Sequence, residues 1–266
     1  MAVSIYCRMK KIIYCYATQK PKLKLNRKER ARELLAEWLC LPYPIREKQG
    51  CFLGYPVTGY AVEGFPGRKQ KRTERTLKSL KKRIRKREMQ ESGTEAQDAF
   101  LFCSWENVGY PLELLKQYYA WMRKKETAVC AAEQLIVLDW DISDELFDLE
   151  DNVTFVSQIC GEYNYITVVT ERKEAWAALV EECYEEYGLW LRCVLDDARM
   201  CFREKKTLIL DFGKAGRKCL RNLPKDSVYM DFYRAEEKRH VISVKCRKIP
   251  YFSPCNALDT MLKDTV

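Results

Sequence analysis

Short apolar runs alternate with amphipathic stretches along the second half of the chain. Each run has four to seven residues bounded by polar or turn-forming residues, a pattern typical of buried strands. The five runs occupy 135–138, 165–170, 189–195, 207–211 and 227–231. Between the second and third runs, Glu171 to Tyr187 has the pattern of an amphipathic helix that ends at Gly188. A strand, a helix and a strand form a βαβ unit, so the pattern predicts a doubly wound parallel sheet.

The first half of the chain has longer helical patterns and fewer strand-like runs. Helices are predicted at 26–41, 68–90 and 110–125, and short strands at 11–16 and 100–103. The apolar residues of the first helix share one face: Ala31, Leu34, Leu35, Trp38 and Leu39. Residues 45–67 are rich in Gly, Pro and aromatic residues, which predicts an irregular packed loop with room for a short hairpin.

Together these patterns predict an α/β chain with two domains. Residues 1–127 form a basic, mainly helical N-terminal region, and residues 128–266 form a Rossmann-like domain whose mostly parallel sheet has about five strands. Residues 143–162 are expected to be mostly helical, with an interruption at 152–154. Ser253 and Pro254 are typical of the N-cap and the first helical position of a last helix.

Positive charge is concentrated in one predicted helix. The chain carries a formal net charge of +9. Residues 68–90 contain twelve Lys and Arg and two Glu, a net charge of +10, which leaves −1 for the rest of the chain. Only three apolar residues, Leu77, Leu80 and Ile84, follow a helical spacing there. They predict a narrow packing stripe on an otherwise charged helix.

Composition narrows the class of protein. Hydrophobic residues make up 47% and charged residues 32%, as in globular rather than disordered chains. No apolar run reaches 18 residues, and Arg8, Lys10 and Lys11 interrupt the first apolar stretch, so neither a transmembrane helix nor a signal peptide is predicted. Thirteen scattered cysteines without a C-x-x-C pair, and a single histidine, disfavour a zinc site and favour a reducing compartment. We therefore expect a cytoplasmic protein with no membrane association.

Acidic residues follow the predicted strands. Asp139 directly follows the run 135–138, and Thr170, Asp211 and Asp231 are the last residues of their runs. Ligands of open parallel sheets bind beyond the carboxyl ends of the strands, so these positions are candidates for a site. Asp is also a common turn residue and helix cap, which explains the same pattern without a ligand.

The run Leu138-Asp139-Trp140-Asp141 is an apolar strand that ends in Asp-x-Asp. It resembles the first motif of haloacid-dehalogenase-like phosphatases. The resemblance implies that Asp139 is the nucleophile and Asp141 the acid/base, and that both bind Mg²⁺. Thr170 would correspond to the second motif, and Lys205 or Lys206 with Asp211 to the third and fourth. The alternative is that Asp141 caps a helix.

A second candidate site follows the fourth run, where Asp211 and Gly213 precede Lys214, Gly216 and Arg217. Cations in the first turn of a helix oppose its dipole unless an anion lies at the N-terminus. This segment, with Thr170, is therefore predicted to bind a small anionic ligand such as a phosphate-bearing metabolite. An ordinary turn is the alternative.

The third candidate is the basic helix, whose Arg72, Arg75, Lys78, Lys82 and Arg85 could contact the phosphates of nucleic acid. The segment has no aromatic residue for base stacking. The main alternative is a solvated helix that packs through Leu77, Leu80 and Ile84. An acidic partner protein, or the Glu-rich helix at 171–187, would satisfy the same charge.

Of these possibilities, the sequence favours a non-catalytic binding or regulatory protein with an anionic small-ligand site at the carboxyl strand ends. The alternatives are a Mg²⁺-dependent phosphatase and a nucleic-acid-binding protein.

Overall fold

A computed structural model of the chain describes residues 11–18, 27–39, 41–63, 70–91, 99–103, 108–140, 149–195, 206–213, 226–234 and 249–264. The chain forms two compact units. The first unit comprises residues 1–105 and 259–266, and the second comprises residues 106–258. The boundary predicted from the sequence lies further along, between residues 127 and 128.

The first unit contains a four-stranded sheet and two helices. Its elements are β1 (Lys11–Thr18), α1 (Arg27–Trp38), β2 (Ile45–Phe52), β3 (Tyr55–Glu63), α2 (Gln70–Glu91) and β4 (Ala99–Cys103). The strands lie in the order β2-β3-β1-β4. Strand β1 is parallel to both β3 and β4, and β2 is antiparallel to β3. The expectation of a mainly helical region therefore missed a sheet that runs through the unit.

The hairpin of β2 and β3 takes the place of most of the irregular loop predicted at 45–67, and it is longer than the short hairpin for which that prediction left room. Its two strands are joined by Leu53 and Gly54, which have φ values of 53° and 86°. Two consecutive positive φ values suit the tight turn of a twisted hairpin, but Leu is uncommon in such a turn. Pro56 in β3 also weakened the strand pattern, because proline cannot donate to a ladder.

Helix α2 packs on one face of this sheet through the stripe that the sequence predicted. Leu80 and Ile84 are buried against Ile13, Cys15 and Tyr60, and Leu77 is partly buried beside them. The apolar face predicted for α1 is different, because it is exposed to solvent. Its exposed large residues are Leu34, Leu35, Trp38 and Leu39.

Residues from the end of the chain belong to the same unit. The Tyr14 hydroxyl donates a 2.5 Å hydrogen bond to Asp259, and Lys48 Nζ donates to the Leu262 carbonyl at 2.7 Å. A Cβ atom on Gly59 would lie 2.6 Å from a methyl group of Leu262. Glycine at this position therefore lets the buried Leu262 side chain lie directly against β3.

The second unit is built around a larger sheet. Its strands are β5 (Val108–Gly109), β6 (Gln134–Asp139), β7 (Tyr165–Thr170), β8 (Leu191–Val194), β9 (Thr207–Asp211), β10 (Val228–Asp231), β11 (Tyr233–Arg234) and β12 (Tyr251–Phe252). Its helices are α3 (Leu112–Lys125), α4 (Thr127–Cys130), α5 (Leu149–Ser157), α6 (Lys173–Tyr187) and α7 (Pro254–Asp264). Of α7, only the residues up to Leu258 belong to this unit. None of the described helices is both long and apolar enough to cross a membrane.

Six strands form one sheet in the order β12-β10-β9-β6-β7-β8, and every neighbouring pair is parallel. Helices flank the sheet, so the predicted α/β class is confirmed. Counted from the β8 edge, the strands follow the chain order three, two, one, four, five, six. The order reverses between β6 and β9, which are neighbours in the sheet although β7 and β8 lie between them in the chain.

The helices that follow β6 and β7 hold one face of the sheet. Phe155 of α5 makes edge-on ring contacts with Phe212 and Phe232, which follow β9 and β10. Helix α5 runs through 152–154 without the predicted interruption, and Asn152 is buried within it. Helix α6 ends at Gly188 in the left-handed conformation, as the sequence predicted.

Candidate functional site

The carboxyl edge of the six-stranded sheet brings together the strand-end residues. Asp139, Thr170, Asp211 and Asp231 are the last residues of β6, β7, β9 and β10. In the strand register Asp139 is paired with Thr170, and Asp211 with Asp231. All four are at most 2% exposed.

Asp139 is the centre of a hydrogen-bond cluster. Its Oδ1 accepts from Asn152 Nδ2 at 3.1 Å and from Arg172 Nη2 at 2.7 Å. Its Oδ2 accepts from Thr170 Oγ1 at 2.9 Å and from Trp176 Nε1 at 2.8 Å. Each carboxylate oxygen therefore has two donors, and one donor is a guanidinium cation.

Local structure explains how these donors converge. Strand β7 ends at Thr170, whose hydroxyl also accepts a 2.9 Å bond from the Arg172 backbone N–H. This bond shapes the turn into α6, which begins at Lys173. Arg172 and Trp176 lie four residues apart, so the first turn of the helix directs both toward the same carboxylate.

Mg²⁺, which the phosphatase resemblance implies, does not fit Asp139 in this arrangement. A metal ligand needs a lone pair directed at the cation, and both oxygens of Asp139 are already saturated by hydrogen bonds. Among the described residues, no three His, Cys, Asp or Glu side chains come together as a metal site. The second predicted ligand, Asp141, lies outside the described residues.

A second buried polar cluster contains Asp211 and Asp231. Asp211 accepts a hydrogen bond from the Tyr229 hydroxyl and one from the Gly213 N–H at 2.8 Å. Asp231 accepts from the Tyr251 hydroxyl at 2.6 Å. Burial and the two neighbouring carboxylates raise the pKa of Tyr229 well above its ordinary value. The tyrosine therefore stays protonated and continues to donate to Asp211.

Gly213 has a steric role at this edge. A Cβ atom there would lie 2.7 Å from the Trp140 carbonyl oxygen. The chain leaving β9 thus passes directly beside the chain leaving β6, and only glycine permits this approach. The other predicted anion-binding residues, Lys214, Gly216 and Arg217, lie outside the described residues.

The cations of the basic helix α2 differ in exposure, and Arg72 is buried while others face solvent. Arg72 is 6% exposed, and its guanidinium lies 4.0 Å from the Tyr43 ring centre and donates to the Leu41 carbonyl. The structure therefore places Arg72 among the residues that anchor α2. Arg75, Lys78 and Lys82 are exposed. The side chain of Arg85 lies outside the described residues.

Sequence reasoning missed Asn152, Arg172 and Trp176. An Arg and a Trp that lie four residues apart, immediately after a strand that ends in Thr, could have indicated that both side chains lie at the strand end. Apolar periodicity instead placed Arg172 and Trp176 in the amphipathic helix predicted at Glu171 to Tyr187, without a role for either.

Comparisons of the chain with protein-family models, with curated proteins and with solved structures found no match.

Proposed function

We propose that the chain is a non-catalytic nucleic-acid-binding protein whose outer α2 surface contacts phosphates. The observation that carries this proposal is a set of exposed cations on a helix whose other side is anchored in its unit. These cations are Arg75, Lys78, Lys81, Lys82, Arg83 and Lys86, here named the α2 basic face.

Because α2 is anchored by buried contacts, its basic face has a fixed orientation within the first unit. Arg72 and Thr76 are buried, and the Thr76 hydroxyl accepts a 2.9 Å hydrogen bond from the Tyr43 N–H. Together with Leu80 and Ile84 these contacts set the rotation of the helix about its axis. Phosphate-binding surfaces benefit from such order, because less entropy is lost on binding.

The charge of the lysines of the basic face is not neutralised by described carboxylates. No described residue forms an ion pair with Lys78, Lys81, Lys82 or Lys86. Arg75 donates to the Leu39 carbonyl, a bond that orders the side chain. Lys78, Lys82 and Lys86 recur every four residues, so they form a row spaced by about 6 Å along the helix. Such a row suits a polyanion, whose binding releases counterions.

This proposal is tested by fluorescence anisotropy of the full chain with a labelled 20-base-pair DNA duplex. We expect affinity to fall steeply with salt, with a log–log slope of about −3.6 if four phosphates are neutralised. The double variant Lys78→Gln, Lys82→Gln should bind at least tenfold more weakly and reduce the slope by about 2.

A matched control removes two exposed lysines outside α2, Lys28→Gln and Lys124→Gln. It has the same net charge as the α2 variant and should bind like the unmodified chain. Equal weakening in both variants, or binding that does not depend on salt, would contradict the proposed surface.

The strand order of the second unit supports a finer, Rossmann-like interpretation of that unit. The order three, two, one, four, five, six is that of dinucleotide-binding folds, whose ligands bind where the order reverses. A small anionic ligand near Gly213 is a hypothesis for this unit. It predicts a thermal shift with a phosphate-bearing metabolite that Lys214→Gln with Arg217→Gln removes.

A Mg²⁺-dependent phosphatase is the second candidate. Its supporting observation is that Asp139, Thr170 and Asp211 end β6, β7 and β9, which are the first, second and fourth strands of the sheet in chain order. The saturated carboxylate opposes it, since Arg172 would have to release Asp139 before any attack on phosphate. Hydrolysis of p-nitrophenyl phosphate that requires Mg²⁺ and disappears in Asp139→Asn would support this candidate over the non-catalytic one.

A cytoplasmic location is also proposed. None of the seven cysteines whose side chains the structure describes is in a disulfide, which is consistent with a reducing compartment.

A further inference from the structure

A cleft of about 470 Å³ lies at the amino edge of the six-stranded sheet, at the end opposite to Asp139. Its lining includes Gln134, Tyr165, Thr167, Trp190 and Arg192. This volume is within the range of small-molecule sites. The cleft shares no lining residue with the α2 basic face or with the cluster at the carboxyl edge.

Strand register explains how the lining residues converge. Thr167 of β7 is paired with Arg192 of β8, so their side chains share one face of the sheet. Tyr165 comes two residues before Thr167 in β7 and therefore lies on that same face, and Trp190 immediately precedes β8. β8 is the last strand of the sheet, which leaves this group at an open edge.

Two aromatic residues of the cleft are exposed. Trp190 is 78% exposed and Tyr165 is 37% exposed. Trp190 therefore contributes little to the core, in contrast with the fully buried Trp176 of the same unit. Exposed aromatic rings beside a cleft provide surfaces on which a planar ligand can stack.

The polar residues of the cleft favour an anion with hydrogen-bonding edges. Among the described lining residues there is one cation, Arg192, and no carboxylate. A guanidinium binds phosphate through two parallel hydrogen bonds. Asn164 is exposed and supplies an amide group that both donates and accepts, as the edge of a nucleobase requires, whereas the Oε1 atom of the buried Gln134 accepts from the Thr207 hydroxyl at 3.4 Å.

The rim of the cleft is held by hydrogen bonds. Gly188 caps α6, with its N–H bonded to Tyr184 O at 3.0 Å, and Leu189 N–H bonded to Cys183 O at 3.0 Å. The Asn164 N–H donates to Glu133 O at 2.9 Å on the other side. The cleft is therefore formed before any ligand arrives.

We propose that this cleft binds a nucleotide, with the base stacked on Trp190 and Tyr165 and the phosphate on Arg192. A free mononucleotide and one nucleotide of a single strand share this chemistry. Both present a planar ring at a short distance from a phosphate.

The test is isothermal titration calorimetry of the full chain with AMP, GMP, CMP and UMP, and with adenosine. We expect at least one mononucleotide to bind. Trp190→Ala should weaken that binding by roughly tenfold to a hundredfold. Arg192→Gln should weaken mononucleotide binding by at least tenfold and leave adenosine binding unchanged.

The matched control is Trp38→Ala, because Trp38 is also 78% exposed and lies outside the cleft. It should leave binding unchanged. No binding of any of the four mononucleotides at millimolar concentration would overturn the proposal, and so would equal effects of Trp190→Ala and Trp38→Ala. A tetranucleotide that binds more tightly than AMP would identify a single strand as the ligand, and weaker binding would identify the free mononucleotide.

Discussion

The carboxyl and amino edges of the six-stranded sheet differ in the exposure of the residues that lie there. At the carboxyl edge, Asp139, Asp211 and Asp231 are almost completely buried, and neighbouring side chains donate hydrogen bonds to each of them. At the amino edge, Trp190 and Arg192 remain exposed around a cleft. The conspicuous residues of the sequence are at the first edge, and the open surface is at the second.

The difference teaches that acidic residues at strand ends are not by themselves evidence of a site. A buried carboxylate is costly unless it is hydrogen-bonded, so the fold surrounds it with donors. Once all its lone pairs are satisfied, the carboxylate fixes the positions of strands and helices. An exposed tryptophan has the opposite property, because its removal costs the fold little and its surface stays available to a ligand.

The largest expected effect is the loss of the Asp139 carboxylate. Asp139→Ala leaves the Arg172 guanidinium and the buried Trp176 N–H without their acceptor. We expect the free energy of unfolding to fall by about 3–5 kcal/mol. Urea denaturation measures this, with Glu171→Ala as an exposed control that should change stability by less than about 0.5 kcal/mol. A loss below about 1 kcal/mol for Asp139→Ala would show that this edge is not rigidly held.

The two tryptophans of the second unit provide the sharpest contrast between core and surface. Trp176→Ala removes a fully buried ring and should cost about 3–5 kcal/mol of stability. Trp190→Ala should change stability by less than about 0.5 kcal/mol. Both are measured by denaturant unfolding, and comparable losses in the two variants would refute the assignment of Trp190 to a surface site.

Buried tyrosines predict a loss of stability in alkali. Burial raises the pKa of Tyr163 to about 12, and burial and nearby carboxylates also raise that of Tyr229. The folded state therefore binds more protons than the unfolded state above pH 10, so stability falls as pH rises from about 10 to 12. The slope is about 1.4 kcal/mol per pH unit for each such tyrosine.

Tyrosinate absorbance and circular dichroism, followed together, measure this alkaline transition. The buried tyrosines should ionise only as the helical signal disappears, and Tyr163→Phe should move the transition to higher pH. Full ionisation of every tyrosine with the helical signal intact would disprove the expected link.

Smaller losses than at Asp139 and Trp176 are expected at two glycines at opposite edges. Gly213→Ala places a methyl group against the Trp140 carbonyl and should cost about 1–3 kcal/mol, because the backbone must move. Gly188→Ala meets open space but has a φ of 62°, and should cost about 1 kcal/mol. Thermal unfolding ranks the two, and a larger loss at Gly188 would reverse the expected order.

Local patterns predicted much of the second unit. The apolar run 207–211 and the helix closed by Gly188 depend on neighbouring residues only, and the structure confirms both. The sheet was predicted with about five strands, because the two-residue strand β12 is too short to form an apolar run. The hairpin at 45–63 was predicted only as a short one within an irregular loop, because Leu53 and Pro56 concealed its turn and its second strand.

The candidate sites were harder to predict because they depend on contacts between distant residues. Asp139 and Trp176 are separated by 37 positions, and no local pattern shows that the indole N–H reaches that carboxylate. The same holds for Arg72, which looks like any other cation of the basic helix until its contact with Tyr43 is seen. The cleft at Trp190 depends on strand register, which apolar spacing alone does not set.

The packing of Leu262 against Gly59 has a consequence for the timing of synthesis. Strand β3 leaves the ribosome early, but the leucine that covers it follows about 200 residues later. At about 5–20 residues per second, that face of the sheet stays uncovered for roughly 10–40 seconds. We therefore expect the first unit to complete its fold only once Leu262 has been synthesised, with nascent chains that expose Tyr14 and Gly59 to chaperones until then.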